Sequence, residues 1–440
     1  MAELGLRRRL GPDVQIAIKH FLETNVRGMF LWVVLVLQEL ERRDERLTDA
    51  VIAARLSALP RTLTATYEGI ISSTPLARRD DLWRILRIML VSRRTMTITE
   101  LEAALCAELG ISNWHDFAGD VNALCSSLIT FEGDKVLFVH QSVRDFLQAF
   151  VSRGLIDQLG GINCNLRHAE AQMACNCLEY LVKSGLLSEV NAIYSTKFKP
   201  HRTQHRMIVA ASEKWPFLEY ATEYWGSYWG SHLGRLEDPD VHITDLALGL
   251  LRSQLNRDML IRLYYWMKHH SAAAPCDTSK LHICAFFNLK WFTAEYIQRQ
   301  EDINSVAHCG DTPLVWGSEM GATQSVQLLL EAGANPNLIE YDGWSPLHWA
   351  ATNGHVEICK LLLKHGARID ACDGSEATPS DWAAARGQYA AFAAIEAFRS
   401  VTSPTGSKDP PFPNEGPTKP LWLANGRIIK SGPLNPREWK

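Results

Sequence analysis

Asp-Gly-Trp-Ser-Pro-Leu-His-Trp-Ala-Ala, residues 342–351, is the stretch that decides the fold. Its Ser345-Pro346 pair predicts the start of a helix. The hydroxyl caps free amides, and proline at the first helical position gives up no needed donor. The pair recurs on either side, at the same interval, as Thr312-Pro313 and Thr378-Pro379. A fixed interval of this size predicts stacked structural repeats.

The second half of each repeat keeps the same period. Gly321, Gly354 and Gly387 recur at the interval of the proline pairs and are expected to end the first helix. The leucine-rich runs at 326–330 and 358–363 predict a second helix. Gly333 and Gly366 follow these runs, where a left-handed cap is expected. Since single repeats cannot bury their own faces, the pattern predicts an α-solenoid.

These residues resemble a known family. Residues 342–351, with Gly354-His355 and the leucines at 361–363, resemble a near-consensus ankyrin repeat. The neighbours at 310–337 and 373–398 match less fully. Leu-His-Ile-Cys-Ala at 281–285 aligns one period upstream without the Thr-Pro pair. The resemblance implies about three repeats plus a degenerate one over residues 276–398, and recognition of a protein partner through their concave face.

Five aromatic residues are candidates for contacting that partner. Three tryptophans share the period of the repeats and follow the helix-opening proline by three positions: Trp316, Trp349 and Trp382. The resemblance places them on the inner helix, towards the concave groove, with Tyr341 and Trp344 near the loop tips. Trp and Tyr often anchor interfaces. Two interpretations stay open: an aromatic ladder that meets a partner, or packing against the neighbouring loop.

The rest of the chain is also expected to be mainly α. Apolar periodicity predicts helices at 16–40, 47–59, 82–91, 99–109 and 121–128. The turn at 132–134 predicts a hairpin over 129–139. The predicted domains are a helical segment (1–60), a winged-helix-like domain (61–155), a helical connector (156–275), the repeats (276–398) and a disordered Pro-rich tail (399–440).

The upstream region carries a second resemblance. It is similar to the part that follows the nucleotide-binding domain in fungal NACHT-type, signal-transducing NTPases with ankyrin tails. The matching stretches are Gly28–Trp32, Leu59-Pro60, Ile98–Leu101, Val139–Leu147 and Cys177–Leu181. The resemblance implies a truncated or split member that lacks the NTPase domain, in signalling or innate-defence-type regulation.

Enzymatic chemistry is not predicted. A P-loop needs a Gly-rich turn that ends in Gly-Lys-Ser/Thr, and the sequence has none. We therefore expect no ATP hydrolysis, no cofactor and no small-molecule substrate. Three pairs approach metal-ligand spacing but are interpreted as ordinary core or surface residues: Cys175 with Cys177, His201 with His205, and His282 with Cys284. No metal site is predicted.

Nucleic acid is not an expected partner either. The helix before the predicted wing, residues 116–128, contains Asp116 and Asp120 and neither Lys nor Arg. The wing sets Lys135 against Glu132 and Asp134. Such a surface would repel a phosphate backbone.

Composition and the absence of targeting signals indicate the cellular compartment in which the protein is expected. The net charge is −4, the ten cysteines are scattered, and no secretory signal is readable. The most apolar run, Met29–Leu37, is about half of a membrane span. We expect a cytoplasmic protein, with the nucleus left open. Three alternatives remain: the regulatory part of a split P-loop NTPase, an enzyme with a cryptic site in residues 186–275, and a non-functional gene fragment.

Overall fold

The computed structural model describes ten stretches of the chain. These are residues 62–111, 114–125, 127–152, 166–183, 213–232, 241–269, 277–307 and 310–402, with short strands at 423–424 and 427–428. The described residues are mainly helical, which confirms the predicted fold class. The helices predicted at 16–40 and 47–59 lie outside them. The chain divides into two compact units, Met1–Ala169 and Glu170–Lys440.

The first unit combines helices with a small antiparallel sheet. Its elements are α1 (Leu63–Ser73), α2 (Leu76–Val91), β1 (Met96–Thr97), α3 (Ile98–Leu109), α4 (Phe117–Cys125), β2 (Ile129–Glu132), β3 (Lys135–Phe138) and α5 (Gln141–Ser152). Strand β3 lies between β1 and β2. Val136 faces Met96 on one side and Phe131 on the other. The predicted hairpin is therefore present, and β1 adds a third strand that the sequence did not indicate.

A capping box fixes the step from β1 into α3. The Thr97 hydroxyl accepts from the Glu100 amide, and the Glu100 carboxylate accepts from the Thr97 amide. Arg94 also donates to both carboxylate oxygens of Glu100, at 2.8 and 2.6 Å. The reciprocal bonds between Thr97 and Glu100 satisfy backbone amides that the start of the helix leaves without partners. It joins the start of α3 to the strand.

The second unit begins with the helices of the predicted connector. These are α6 (Leu166–Lys183), which crosses the unit boundary, α7 (Leu218–His232), α8 (Val241–Arg252) and α9 (Gln254–His269). Their core is rich in aromatic residues: Tyr220, Trp225 and Tyr228 are fully buried. The hydroxyls of Tyr220 and Tyr228 are 2.6 Å apart. That contact gives two buried polar groups a partner.

The remaining helices form a stack of pairs. They are α10 (Lys280–Phe286), α11 (Lys290–Gln298), α12 (Pro313–Met320), α13 (Thr323–Glu331), α14 (Pro346–Thr352), α15 (Val356–Lys364), α16 (Pro379–Ala385) and α17 (Tyr389–Thr402). The first helices α10, α12, α14 and α16 contact one another in that order. The second helices α11, α13, α15 and α17 do the same. This is the predicted α-solenoid, and the pair at 280–298 continues it upstream.

Two short strands lie in the predicted disordered tail. β4 (Leu423–Ala424) pairs with β5 (Arg427–Ile428) in antiparallel fashion, and β4 contacts α16. The other residues beyond Thr402 lie outside the described part. Among the described helices, none is both long and apolar enough to cross a bilayer.

Candidate partner-binding surface of the repeat array

Hydroxyl caps begin all four first helices, and three of these caps precede a proline. Thr312, Ser345 and Thr378 each accept a hydrogen bond from the amide three residues on, at 3.3, 3.4 and 3.3 Å. A proline follows each of these three caps at the first helical position. The period of the sequence is therefore a period of helix starts. The loop before each first helix therefore lies on the same side of the stack.

Buried histidines tie neighbouring repeats together. His348 accepts from the Ser345 amide at Nδ1, 3.1 Å away, so Nε2 carries the proton and donates to the Ala377 carbonyl at 3.2 Å. His282 repeats the arrangement with Ser279 and the Asp311 carbonyl. Burial lowers the pKa of the His348 imidazole. The neutral ring is thus the form that links one repeat to the next.

The three periodic tryptophans have acidic partners. Each indole N–H donates to a carboxylate in the loop that precedes its own helix. The pairs are Trp316 with Asp311 at 3.0 Å, Trp349 with Glu340 at 3.2 Å, and Trp382 with Asp373 at 2.7 Å. Hydrogen bonds to charged groups are stronger than neutral ones. Sequence reasoning missed these acids, although Glu340 and Asp373 are separated by one full repeat period.

Burial separates the five candidate residues. Trp316 is 0% exposed, and Trp344 and Trp349 are 3% exposed. Trp382 is half-buried. Tyr341 is 73% exposed. Three of the five therefore have no face to offer a partner, and burial favours the packing interpretation for them.

The indoles also do not stack as one ladder. Trp344 lies between Trp349 and Trp382, with ring centroids 4.8 and 4.9 Å apart. Trp316 packs instead against His282 and Phe286, at 4.9 and 5.6 Å. Of the two interpretations that the sequence leaves open for Trp316, Trp349 and Trp382, these ring contacts favour packing. The non-periodic Trp344 fills the space that joins two of them.

Four exposed residues at the loop tips form what we call the tip surface: Tyr341, Asp342, Ser375 and Glu376. The tip segments 341–343 and 374–376 contain neither Lys nor Arg. Successive tips are linked, because the Gly374 amide donates to the Asp342 carbonyl at 3.1 Å. The tip surface is therefore acidic and carries one exposed aromatic ring.

Buried Asp373 shapes the tip of the last repeat. Its Oδ1 accepts from the Ser375 amide and hydroxyl at 2.9 and 2.7 Å, and from the Ala377 amide at 3.0 Å. Its Oδ2 accepts from Trp382. A single carboxylate thus fixes the loop and the indole beneath it. The backbone of this tip is formed before any partner arrives.

Close contact with the backbone at Gly310 also limits the position of the Tyr341 ring. A Cβ atom at Gly310 would lie 3.2 Å from the Tyr341 ring, and the Gly310 φ of +85° is one that other residues rarely adopt. Glycine therefore lets the preceding loop lie directly against the tyrosine. One edge of the ring is supported while its remaining surface faces solvent.

Comparisons with known proteins agree with this architecture. The family model described as ankyrin repeats matches residues 281–393 in three copies. The array therefore consists of ankyrin repeats, which support a protein–protein interaction module.

Two curated relatives match parts of the chain. The vegetative incompatibility protein HET-E-1 of Podospora anserina is 30% identical over 131 residues, which is 30% of this chain and 10% of that protein. The azaphilone pigments biosynthesis cluster protein L of Monascus ruber is 26% identical over 233 residues, 50% of this chain and 45% of that protein. The chain spans less than half the length of either relative.

Proposed function

We propose that the ankyrin array holds a protein partner on its concave side through the tip surface, with Tyr341 as the aromatic anchor. The observation that carries the proposal is the exposure of Tyr341, 73%, beside tryptophans that are buried. Tyrosine supplies a large contact area with few rotatable bonds, and its hydroxyl keeps a hydrogen-bonding end. Trp344, Trp349 and Trp382 support the loops of this surface, and the edge of Trp382 is available as a secondary contact.

Charge narrows the chemistry of the partner. Asp342 and Glu376 are both exposed within the tip surface, and the tip segments hold no basic residue. Complementary charges at the rim of an interface raise the rate of association and select against like-charged partners. We therefore propose a partner whose contacting segment carries Lys or Arg beside an apolar group.

Rigidity favours binding at this surface. The Asp373 carboxylate and the bond between the Gly374 amide and the Asp342 carbonyl hold the tip loops in place. Less conformational entropy is lost when a loop is already ordered. The loops support recognition by a pre-formed surface.

The experiment is a comparison of two exposed tyrosines of the same array. Full-length protein, Tyr341→Ala and Tyr389→Ala serve as baits in native lysate, and bound proteins are identified by mass spectrometry. Tyr389 is 58% exposed but begins the second helix α17, away from the loop tips. We expect a partner that the full-length protein and Tyr389→Ala retain and Tyr341→Ala loses. A partner held equally by both variants would place the contact elsewhere.

We also propose the biological process and the kind of assembly in which the chain acts. The name of HET-E-1 supports a role in vegetative incompatibility, and we propose a signalling role in that setting. The three-stranded sheet of the first unit, with α3 and α4 between β1 and β2, supports the winged-helix domain at 61–155. We propose a regulatory, cytoplasmic, non-enzymatic role for the chain, without nucleic acid or a small-molecule substrate, beside an NTPase on the same or another polypeptide. Co-purification of a P-loop protein would favour this arrangement, and purified protein that hydrolyses ATP alone would contradict it.

A further inference from the structure

Three different metal-ligating side chains meet in the second unit, outside the repeat array. They are Cys175 and Glu179 on α6 and His242 on α8. The Cys175 Sγ, a Glu179 carboxylate oxygen and a His242 ring nitrogen all lie within 4.8 Å of one another. We propose that these three residues bind a divalent ion of the zinc class.

Helix geometry brings the three groups together. Cys175 and Glu179 are four residues apart and so lie on one face of α6, one turn from each other. His242 is the second residue of α8, and its Nε2 lies 3.2 Å from Glu179 Oε1. The histidine lies far along the chain from Glu179, so no sequence spacing reveals the cluster. Sequence spacing pairs Cys175 only with Cys177, which lies two residues on and faces another side of the helix.

The distances suit zinc after small movements. Zinc lies about 2.3 Å from sulfur and about 2.0–2.2 Å from nitrogen or oxygen in a tetrahedron, so its ligand atoms are about 3.3–3.6 Å apart. The present separations, up to 4.8 Å, require changes of about 1.5 Å at most. Side-chain rotation of His242, which is 62% exposed, can supply them. Imidazole and thiolate select zinc over magnesium or calcium.

The three candidate ligands differ in how deeply they are buried. Cys175 is buried, Glu179 is half-buried and His242 is exposed. A metal ion would therefore be held from below by sulfur and reached from solvent past the imidazole. Three protein ligands leave a fourth position for water or a group from another molecule.

The competing interpretation is an ion pair between Glu179 and His242 that needs no metal. That pair does not involve the Cys175 thiol, whereas metal binding requires it. The ion would join α6 to α8 and would stabilise the folded state, because it binds the assembled site and not the separated helices. The proposal is independent of the tip surface.

The test uses the purified full-length chain, stripped with a chelator and titrated with Co²⁺ and then Zn²⁺. The variants are Cys175→Ser and His242→Ala, and the matched control is Cys372→Ser, which removes an exposed thiol of the array. Circular dichroism checks the fold of each. Since the His242 side chain is mostly exposed, His242→Ala is expected to remain folded even if Cys175→Ser does not.

We expect one equivalent of Co²⁺ with a thiolate-to-cobalt absorption band in the wild type and in Cys372→Ser. The band should vanish in Cys175→Ser, and His242→Ala should bind more than about tenfold more weakly. Zn²⁺ should displace the cobalt and raise the unfolding temperature. The absence of the band from the wild type, its retention in folded Cys175→Ser, or an unchanged affinity in His242→Ala would each overturn the proposal.

Discussion

The interior of the repeat array and its tip surface use aromatic residues in opposite ways. Trp316 and Trp349 lie under the loops, buried and bonded to acidic side chains. Tyr341 lies next to Glu340, the acidic partner of Trp349, yet most of its surface is exposed. The buried tryptophans therefore stabilise the fold, whereas Tyr341 is available at the surface.

Periodicity accounts for part of this difference. Trp316, Trp349 and Trp382 recur in three successive repeats, and the upstream pair at 280–298 has buried Ile283 at the same position, because each repeat buries an apolar side chain there. Tyr341 has His308 and Gly374 at the equivalent positions, so no repeated packing role requires an aromatic ring there. Periodicity does not account for every buried aromatic residue. Trp344 is not periodic and is nevertheless buried between two indoles.

The largest expected effect comes from removing a buried indole. Trp316→Ala should lower the free energy of unfolding by about 3–5 kcal/mol, because it leaves a cavity and removes the hydrogen bond to Asp311. Urea unfolding followed by circular dichroism measures the change. Trp291→Ala, at a half-buried indole on α11, is the control and should cost less. Equal losses would mean that Trp316 is not the more buried residue.

A smaller effect follows when the ring is kept and the N–H is removed. Trp316→Phe should cost about 1–3 kcal/mol, since it removes a donor from a carboxylate on the fully buried Asp311. Trp382→Phe should cost less, because Asp373 still accepts from Ser375 and Ala377. The same unfolding experiment compares the two. A greater loss for Trp382→Phe would show that the acid–indole bonds do not follow burial.

His348 should make the array sensitive to acid. Burial lowers the pKa of its imidazole below the unfolded value of about 6.5, so the unfolded state binds more protons as the pH falls. The stability that depends on neutral His348 is complete above about pH 6.5 and is lost as pH falls through the folded-state pKa.

The measurement is the urea midpoint near neutral pH and about one unit below pH 6.5. His348→Gln should lose less stability on acidification than the wild type does. The pKa of His355 is also lowered by burial, so part of the pH dependence should remain. His168→Gln, at an exposed position on α6, is the control and should behave as the wild type. An identical acid response in His348→Gln would contradict the assignment.

The smallest effect on stability is expected at the tip surface. Tyr341→Ala should change the free energy of unfolding by no more than about 0.5 kcal/mol, because the side chain is mostly solvated. Its effect on partner affinity should be about 2 kcal/mol or more if the ring is the anchor. Calorimetric titration of the partner identified with the full-length bait measures the second quantity. A large loss of stability with unchanged affinity would reverse the proposed roles.

The sequence predicted the array well because its determinants are local. The caps Thr312, Ser345 and Thr378 set helix starts wherever they occur. It did not predict strand β1, whose two residues gain their partners from β3, much later in the chain. It also could not rank the five aromatic candidates, since burial depends on how neighbouring repeats stack. The meeting of His242 with Cys175 is likewise a product of tertiary packing.

Hydroxyl-radical footprinting of the full-length chain, alone and with its partner, measures which aromatic side chains face solvent and which face the partner. We expect rapid oxidation of Tyr341 in the isolated chain, little oxidation of Trp316, Trp344 and Trp349, and protection of Tyr341 when the partner is bound. Oxidation of Trp349 as fast as that of Tyr341, or an unprotected Tyr341 in the complex, would contradict this expectation.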